Sequence, residues 1–310
     1  MSYEADVAEC RERLRTGSKS FYAASLVLPE RVRAPASAFY AFCRVADDAV
    51  DEAPPGGMND AVESLRARLA RIYAGTPDDT PIDRALAVAV VRHGVPSAVI
   101  EALIDGFLWD AEGHRYETMA ELQGYCARVA SAVGVVMTLF MGRRHPRVLA
   151  RACDLGAAMQ LTNICRDVGE DARNGRVYLP LAWLRDAGVD VESWERSPRP
   201  TDALAAVIER VLVEADGLYA RSDAGVAMLP RDCRASIRAA RLLYSAIGDE
   251  VRRNGYDSVT RRAVVPRRRK AVLLARAMTA MAGPDREPRD DDPPALPAVE
   301  FLIDAVARPG

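Results

Sequence analysis

From Glu4 to Met281 the apolar residues return at helical spacing in segment after segment, and no stretch alternates as a half-buried strand would. This single feature points to an all-α chain. With its Pro and Gly breaks, the pattern predicts helices over Glu4–Thr16, Pro35–Glu52, Asp60–Ala74, Ile82–His93, Ser97–Trp109, Met119–Phe140, Arg147–Asp167, Pro180–Ala187, Asp202–Ala220 and Arg234–Asn254. A last helix is expected over Pro266–Met281, because proline suits a first helical position. Ala, Leu, Val and Arg dominate the chain, a usage that favours helices over sheets. One helical domain over residues 1–282 is the economical arrangement.

The remainder, residues 283–310, reads differently. Gly283–Pro297 holds five prolines with Asp285, Asp290, Asp291 and Asp292, too little apolar surface to order itself. The expectation is a disordered tail, with Val299–Val306 docking or fraying.

Several function classes drop out on charge and residue type. The formal net charge is −2, so no basic field argues for nucleic acid. The six cysteines form no C-x-x-C pair, and most lie in apolar helical patterns, which argues against zinc or a disulfide framework. The three histidines are far apart in sequence. There is no G-x-x-x-x-G-K-[ST] loop and no G-x-G-x-x-G. Met1–Arg15 is charged and predicts no signal peptide. The apolar run Val129–Gly142 is shorter than the roughly 20 residues a membrane helix needs, and is expected to be a core helix. The basic run Arg261, Arg262, Arg267, Arg268, Arg269 and Lys270 admits three readings: a solvated helix start, substrate phosphate, or anionic lipid.

The informative chemistry lies in two of the four D-x-x-x-D spacings. Asp47 and Asp51 are one turn apart, and the same step backwards reaches Cys43 and Phe39. Asn163, Asp167 and Asp171 repeat the arrangement, with Met159 and Leu155 behind them and Gln160 and Ile164 alongside. Both sets of oxygen ligands therefore extend apolar stripes. Carboxylates gathered on inward faces repel one another and lose hydration unless something neutralises them. Arginine could do so, through Arg44 with Asp48 and Arg166 with Glu170. Two such helices in one chain favour magnesium, which bridges one or two carboxylates to phosphate oxygens. Arg44 and Arg166 would suit a diphosphate as guanidinium forks. A departing diphosphate leaves an allylic cation that needs a dry pocket. Phe21, Phe39, Met137, Leu139, Phe140, Met141 and Met159 could line it, although each alone fits ordinary core packing.

These segments also resemble a known family. Ser18-Lys-Ser-Phe-Tyr22 is similar to the N-terminal motif of squalene and phytoene synthases, and Tyr40–Glu52 resembles their first aspartate-rich box. Gln160–Pro180 resembles their second signature throughout, and Tyr125–Gly134, Arg238–Tyr244 and Asp249–Arg252 continue the likeness. The resemblance covers about Cys10 to Leu274. It implies a single-domain isoprenoid-synthase-type helical bundle with a central apolar cavity. It implies magnesium, with manganese as a substitute, held by Asp47, Asp51, Asn163, Asp167 and Asp171. It implies diphosphate contacts from Arg44, Arg166, Arg176 and Arg262, and pocket roles for Ser20, Phe21, Tyr40, Tyr125, Gln160, Tyr178 and Tyr244.

The implied reaction joins C1 of one prenyl diphosphate to the C2–C3 double bond of another. The cyclopropyl diphosphate formed then ionises, rearranges and loses a proton. Tyr244 and the released diphosphate are the candidate bases. The forms of the two boxes look most like phytoene synthases, which implies two geranylgeranyl diphosphates as substrates and no NADPH. The alternatives are a C15 enzyme making dehydrosqualene or presqualene diphosphate from farnesyl diphosphate, and a non-catalytic helical assembly protein of the same family. A cytoplasmic location is expected, with peripheral contact to membrane lipid at the inner face and neighbouring carotenoid-pathway enzymes as candidate partners.

Overall fold

The computed structural model describes residues 2–17, 19–51, 53 and 57–308, and the side chains of all of these except Lys19, Ser20, Ala23 and Asp51. Among the described residues there are helices and no strands. In chain order they are α1 Tyr3–Gly17, α2 Lys19–Ser25, α3 Glu30–Asp51, α4 Met58–Tyr73, α5 Pro81–His93, α6 Ser97–Ala111 and α7 Met119–Cys126. A π turn over Ala127–Ser131 joins α7 to α8, Ala132–Phe140. There follow α9 Pro146–Arg173, α10 Leu181–Asp186, α11 Val191–Arg196, α12 Asp202–Met228, α13 Arg231–Arg253, α14 Arg267–Met278 and α15 Glu300–Ala307.

Local chemistry sets the helix starts. Thr80, Thr118 and Thr201 each accept a hydrogen bond from a backbone N–H three residues on, satisfying donors that the first turn leaves orphaned. Several expected ends move, among them those of α3, α9 and α12. Pro35 is not the first residue of α3, which begins five residues earlier at Glu30. α9 continues past Asp167 to Arg173, which keeps Asp171 on the same helix as Asn163.

The long helices α9 and α12 pack along each other and form the spine. One core gathers α1, α3–α6, α8 and the first half of α9; a second gathers α7, the second half of α9 and α10–α12. α9 passes through both. Gly156 allows the close approach this needs: a Cβ there would lie 2.6 Å from the carbonyl of Ala130 in the π turn. The apolar run around α8 belongs to a continuous helical stretch, Met119–Phe140, that is long and apolar enough to cross a bilayer. It packs here against α3, α6 and α9 as a core helix.

The C-terminal segment departs from expectation. It lies on the body rather than free of it. Leu302, Ile303 and Val306 of α15 are buried in the first core. Arg147 donates to the carbonyls of Asp290 and Asp292, and Arg234 donates to those of Gly283 and Pro284. A segment too polar to build its own core is thus held by donors from α9 and α13.

Candidate active site

A cavity of about 460 Å³ opens between α2, α3, α8, α9, α12 and α13. On α9 its lining follows one stripe from Val148 to Asn163, and on α3 another from Ala36 to Asp47. Phe21, Phe39, Met137, Met141 and Met159 line it as expected. Leu139 and Phe140 do not. They sit on other faces of α8 and pack in the core, where the Phe140 ring meets Phe39 at 6.3 Å and His93 at 5.1 Å.

One end of the cavity is polar. Asp47, Arg44, Tyr40, Gln160, Asn163 and Tyr244 line it together. The Phe21 ring stands 6.1 Å from Tyr244 and 6.3 Å from Tyr40. Arg44 pairs with Asp48 at 2.5 Å and reaches Asp47 at 3.4 Å. On the facing helix Arg166 hydrogen-bonds Asp167, with its Nε 2.8 Å from Oδ1. Burial works against the Arg166 charge, and the bonds to Asp167 outweigh it. Arg262 reaches Asp167 at 3.0 Å and Glu170 at 3.2 Å. Arg166 therefore takes Asp167 as its partner, and Glu170 goes to Arg262.

The loop carrying Arg262 is fixed to α9 at Gly169. The Gly169 N–H donates to the Ser258 carbonyl at 3.0 Å, and any Cβ there would strike Val259. A residue nearly a hundred positions on is thereby delivered to the second acidic box.

Asp171, Tyr125 and Tyr178 lie outside the cavity lining. Asp171 faces a small side pocket with Arg176 and Tyr178. Burial, with Asp167, Glu170 and Asp110 nearby, pushes its carboxyl up to about 7. Tyr125 and Tyr178 both donate to the Asp110 carboxylate, at 2.7 and 2.6 Å, and their rings stack 5.2 Å apart. Burial and the Asp110 charge keep both phenols protonated. These tyrosines brace the second box from behind. Asp110 was not anticipated; Glu101 and Asp105 on the same helix gave it no distinguishing signal. Burial likewise raises the Tyr244 phenol. The side chains of Ser20 and Asp51 lie outside the described residues.

The donor set suits a hard divalent cation. Asn163 Oδ1 is buried in the structure with no hydrogen-bond partner, and an orphaned carbonyl oxygen is costly without one. Asp47 lies in the last turns of α3 and Asp171 in the last turn of α9, where the helix dipole adds negative potential that favours a cation. Among the described residues no three His, Cys, Asp or Glu side chains close around a single point.

The profile of the squalene/phytoene synthase family matches residues 14–269. A phytoene synthase of Cereibacter sphaeroides is 52% identical, over 99% of this chain and 90% of its own length. A phytoene synthase of Rhodobacter capsulatus is 51% identical, over 99% of this chain and 92% of its own. Among solved structures, a dehydrosqualene synthase with bound ligand superposes with a TM-score of 0.81 at 31% identity, over 90% of this chain and 98% of that one. The match spans both acidic boxes and the helices around the cavity, and the chain belongs to the squalene/phytoene synthase family.

Proposed function

We infer that the chain is a phytoene synthase, a prenyltransferase that condenses two geranylgeranyl diphosphates head to head and releases diphosphate. The observation that carries this reading is the cavity: a mainly apolar wall, with Asp47, Asn163, Gln160 and Arg44 gathered at one end. Its length favours the C20 substrate. Asn163 and Arg151 are twelve residues apart on α9, about 18 Å at the helical rise. An extended chain advances about 3.5 Å per three bonds, so a C20 prenyl tail reaches about 18 Å and a C15 tail about 13 Å. The near-full-length likeness to relatives named phytoene synthase supports the same choice.

Each residue then has a task. Asp47, Asp51, Asn163, Asp167 and Asp171 would hold magnesium, with manganese able to replace it. The bound cation would neutralise charge as the diphosphate departs. Arg44, Arg166 and Arg262 orient the diphosphate oxygens, and Arg176 holds Asp171 in its pocket wall. Phe21, Tyr40, Met159 and Gln160 exclude water from the allylic cation. Burial raises the Tyr244 phenol at the cavity wall, and Tyr244 and the released diphosphate are the two groups placed to take the final proton. No NADPH is required.

The exposed side of α14 supports peripheral contact with anionic lipid at the inner face of the cytoplasmic membrane. Arg267, Arg268, Val272 and Met278 are exposed on it, and Arg261, Val264 and Met281 are exposed in the segments just before and after it. Flotation with anionic liposomes is the check, and protein left in the soluble fraction contradicts the contact.

The central test is incubation of purified protein with magnesium and either geranylgeranyl or farnesyl diphosphate, without NADPH, followed by mass analysis of extracted lipid. A C40 hydrocarbon from the C20 substrate is expected. A C30 product alone would keep the chemistry and overturn the chain length. No product from either would leave a non-catalytic protein.

A further inference from the structure

At the end of the cavity away from the acidic boxes stands an arginine. Arg151 lines the cavity, yet its side chain is only 1% exposed. It lies on the same stripe of α9 as Leu155, Met159 and Asn163. A hydrocarbon tunnel needs no guanidinium, and burying one is costly unless it is held on every side. The holding groups come from three elements. Asp154, fully buried, lies 3.0 Å from Arg151 Nε, although not aligned to accept from it. Arg221 of α12 reaches the same Asp154 oxygen at 3.3 Å. The Pro294 carbonyl, in the C-terminal segment, accepts from Arg151 at 3.3 Å and from Arg221 at 2.7 Å. The aliphatic stem is pinned as well: a Cβ on Gly225 would lie 2.5 Å from the Arg151 Cβ.

We propose that Arg151 is the stop of the prenyl tunnel, a specificity-determining residue that sets the longest chain the enzyme accepts, and that the C-terminal segment locks it in place through Pro294. The proposal rests on the prenyltransferase reading above. A Leu or Met floor yields by changing rotamer. Arg151 cannot swing aside without giving up its contacts with Asp154 and the Pro294 carbonyl, and Gly225 packs against its stem, so the stop is stiff. Arg151 Nη1 and Ser236 Oγ are buried there without hydrogen-bond partners, and both belong to residues of the cavity wall. A methyl-terminated tail satisfies neither, so the floor gains nothing from a longer chain pressed against it.

The test mixes C20 and C25 prenyl diphosphates in equal amounts with the magnesium-loaded full chain and measures C40, C45 and C50 hydrocarbons by mass. The unmodified protein is expected to make C40 almost alone. Arg151→Ala should raise the C45 fraction at least tenfold and leave the relative use of C15 and C20 substrates unchanged. If Arg151→Ala does not fold, Arg151→Leu removes the guanidinium and leaves Asp154 paired with Arg221, and the same rise is expected. Arg221→Met, which loosens the lock from outside the cavity, should give a smaller rise in C45. Folded variants with an unchanged C45 fraction would overturn the stop while leaving the enzyme assignment intact. Absence of C40 from the unmodified protein would instead overturn the function on which the stop depends.

Discussion

The two acidic helices carry the same spacing and differ in what surrounds them. On α3, Asp47 is two-fifths exposed, and its ion-pair partner Arg44 is half exposed. On α9, Asp167 is mostly covered, and Asp171 is buried enough for its carboxyl to rise to about 7. Behind α9 stand Asp110, Tyr125 and Tyr178, and over it lies the loop of Arg262. Fixed carboxylates with a braced back are preorganised for a nearby charge, whereas Asp47 and Arg44 on α3 stand open to solvent. One sequence pattern thus sits in two settings, braced and mostly buried on α9 and open on α3.

The largest expected effect tests whether both halves are needed. Asp47→Asn and Asp167→Asn should each lower turnover by about 100-fold or more with unchanged helical circular dichroism, the scale at which one preorganised electrostatic group acts. Normal turnover in either would remove that helix from the cation site.

Asp171 separates the halves by pH. Its raised value means that the folded protein holds a proton the unfolded chain gives up near 3.8. The stability from that group is complete below about pH 4 and lost as pH rises through about 7. Metal-free protein should therefore melt lower at pH 8 than at pH 5, and Asp171→Asn should shrink the difference. Thermal melts in chelator give the answer, and an identical pH response in the variant would break the contrast.

A smaller effect is expected from the brace. Tyr178→Phe removes one charged hydrogen bond to Asp110, a loss of about 1.5–3 kcal/mol. Both melting temperature and turnover should fall, and a fall in neither would mean that the brace does not support the box. The smallest effect is expected on the open side. The Arg44–Asp48 pair is solvent-exposed, so Asp48→Ala should cost no more than about 1 kcal/mol. A large loss there would erase the distinction between the two helices.

Much of this was legible in the sequence, and what was hidden had a physical cause. Periodicity located most of the long helices and put both acidic boxes on apolar faces. It missed α2 and α11, which are short, and it ended α9 and α12 too early. Tyr125 and Tyr178, for which the resemblance implied pocket roles, stand behind the cavity because both are drawn to the Asp110 carboxylate. Asp110 was invisible because its partners come from α7 and from the chain after α9. Arg151 could have been found: one more step back along Asn163, Met159 and Leu155 lands on it. The order in residues 283–306 could not, because Arg147, Arg151, Arg221 and Arg234 supply the donors from far along the chain.

That segment also bears on how the chain folds as it is made. Leu302, Ile303 and Val306 complete a core whose other walls are α6, α8 and α9. About 150 residues separate Arg151 from Val306. At about 5–20 residues per second, the ribosome needs roughly 10–30 s to cover that distance. For that interval the faces of α6, α8 and α9 that α15 covers in the folded chain remain open.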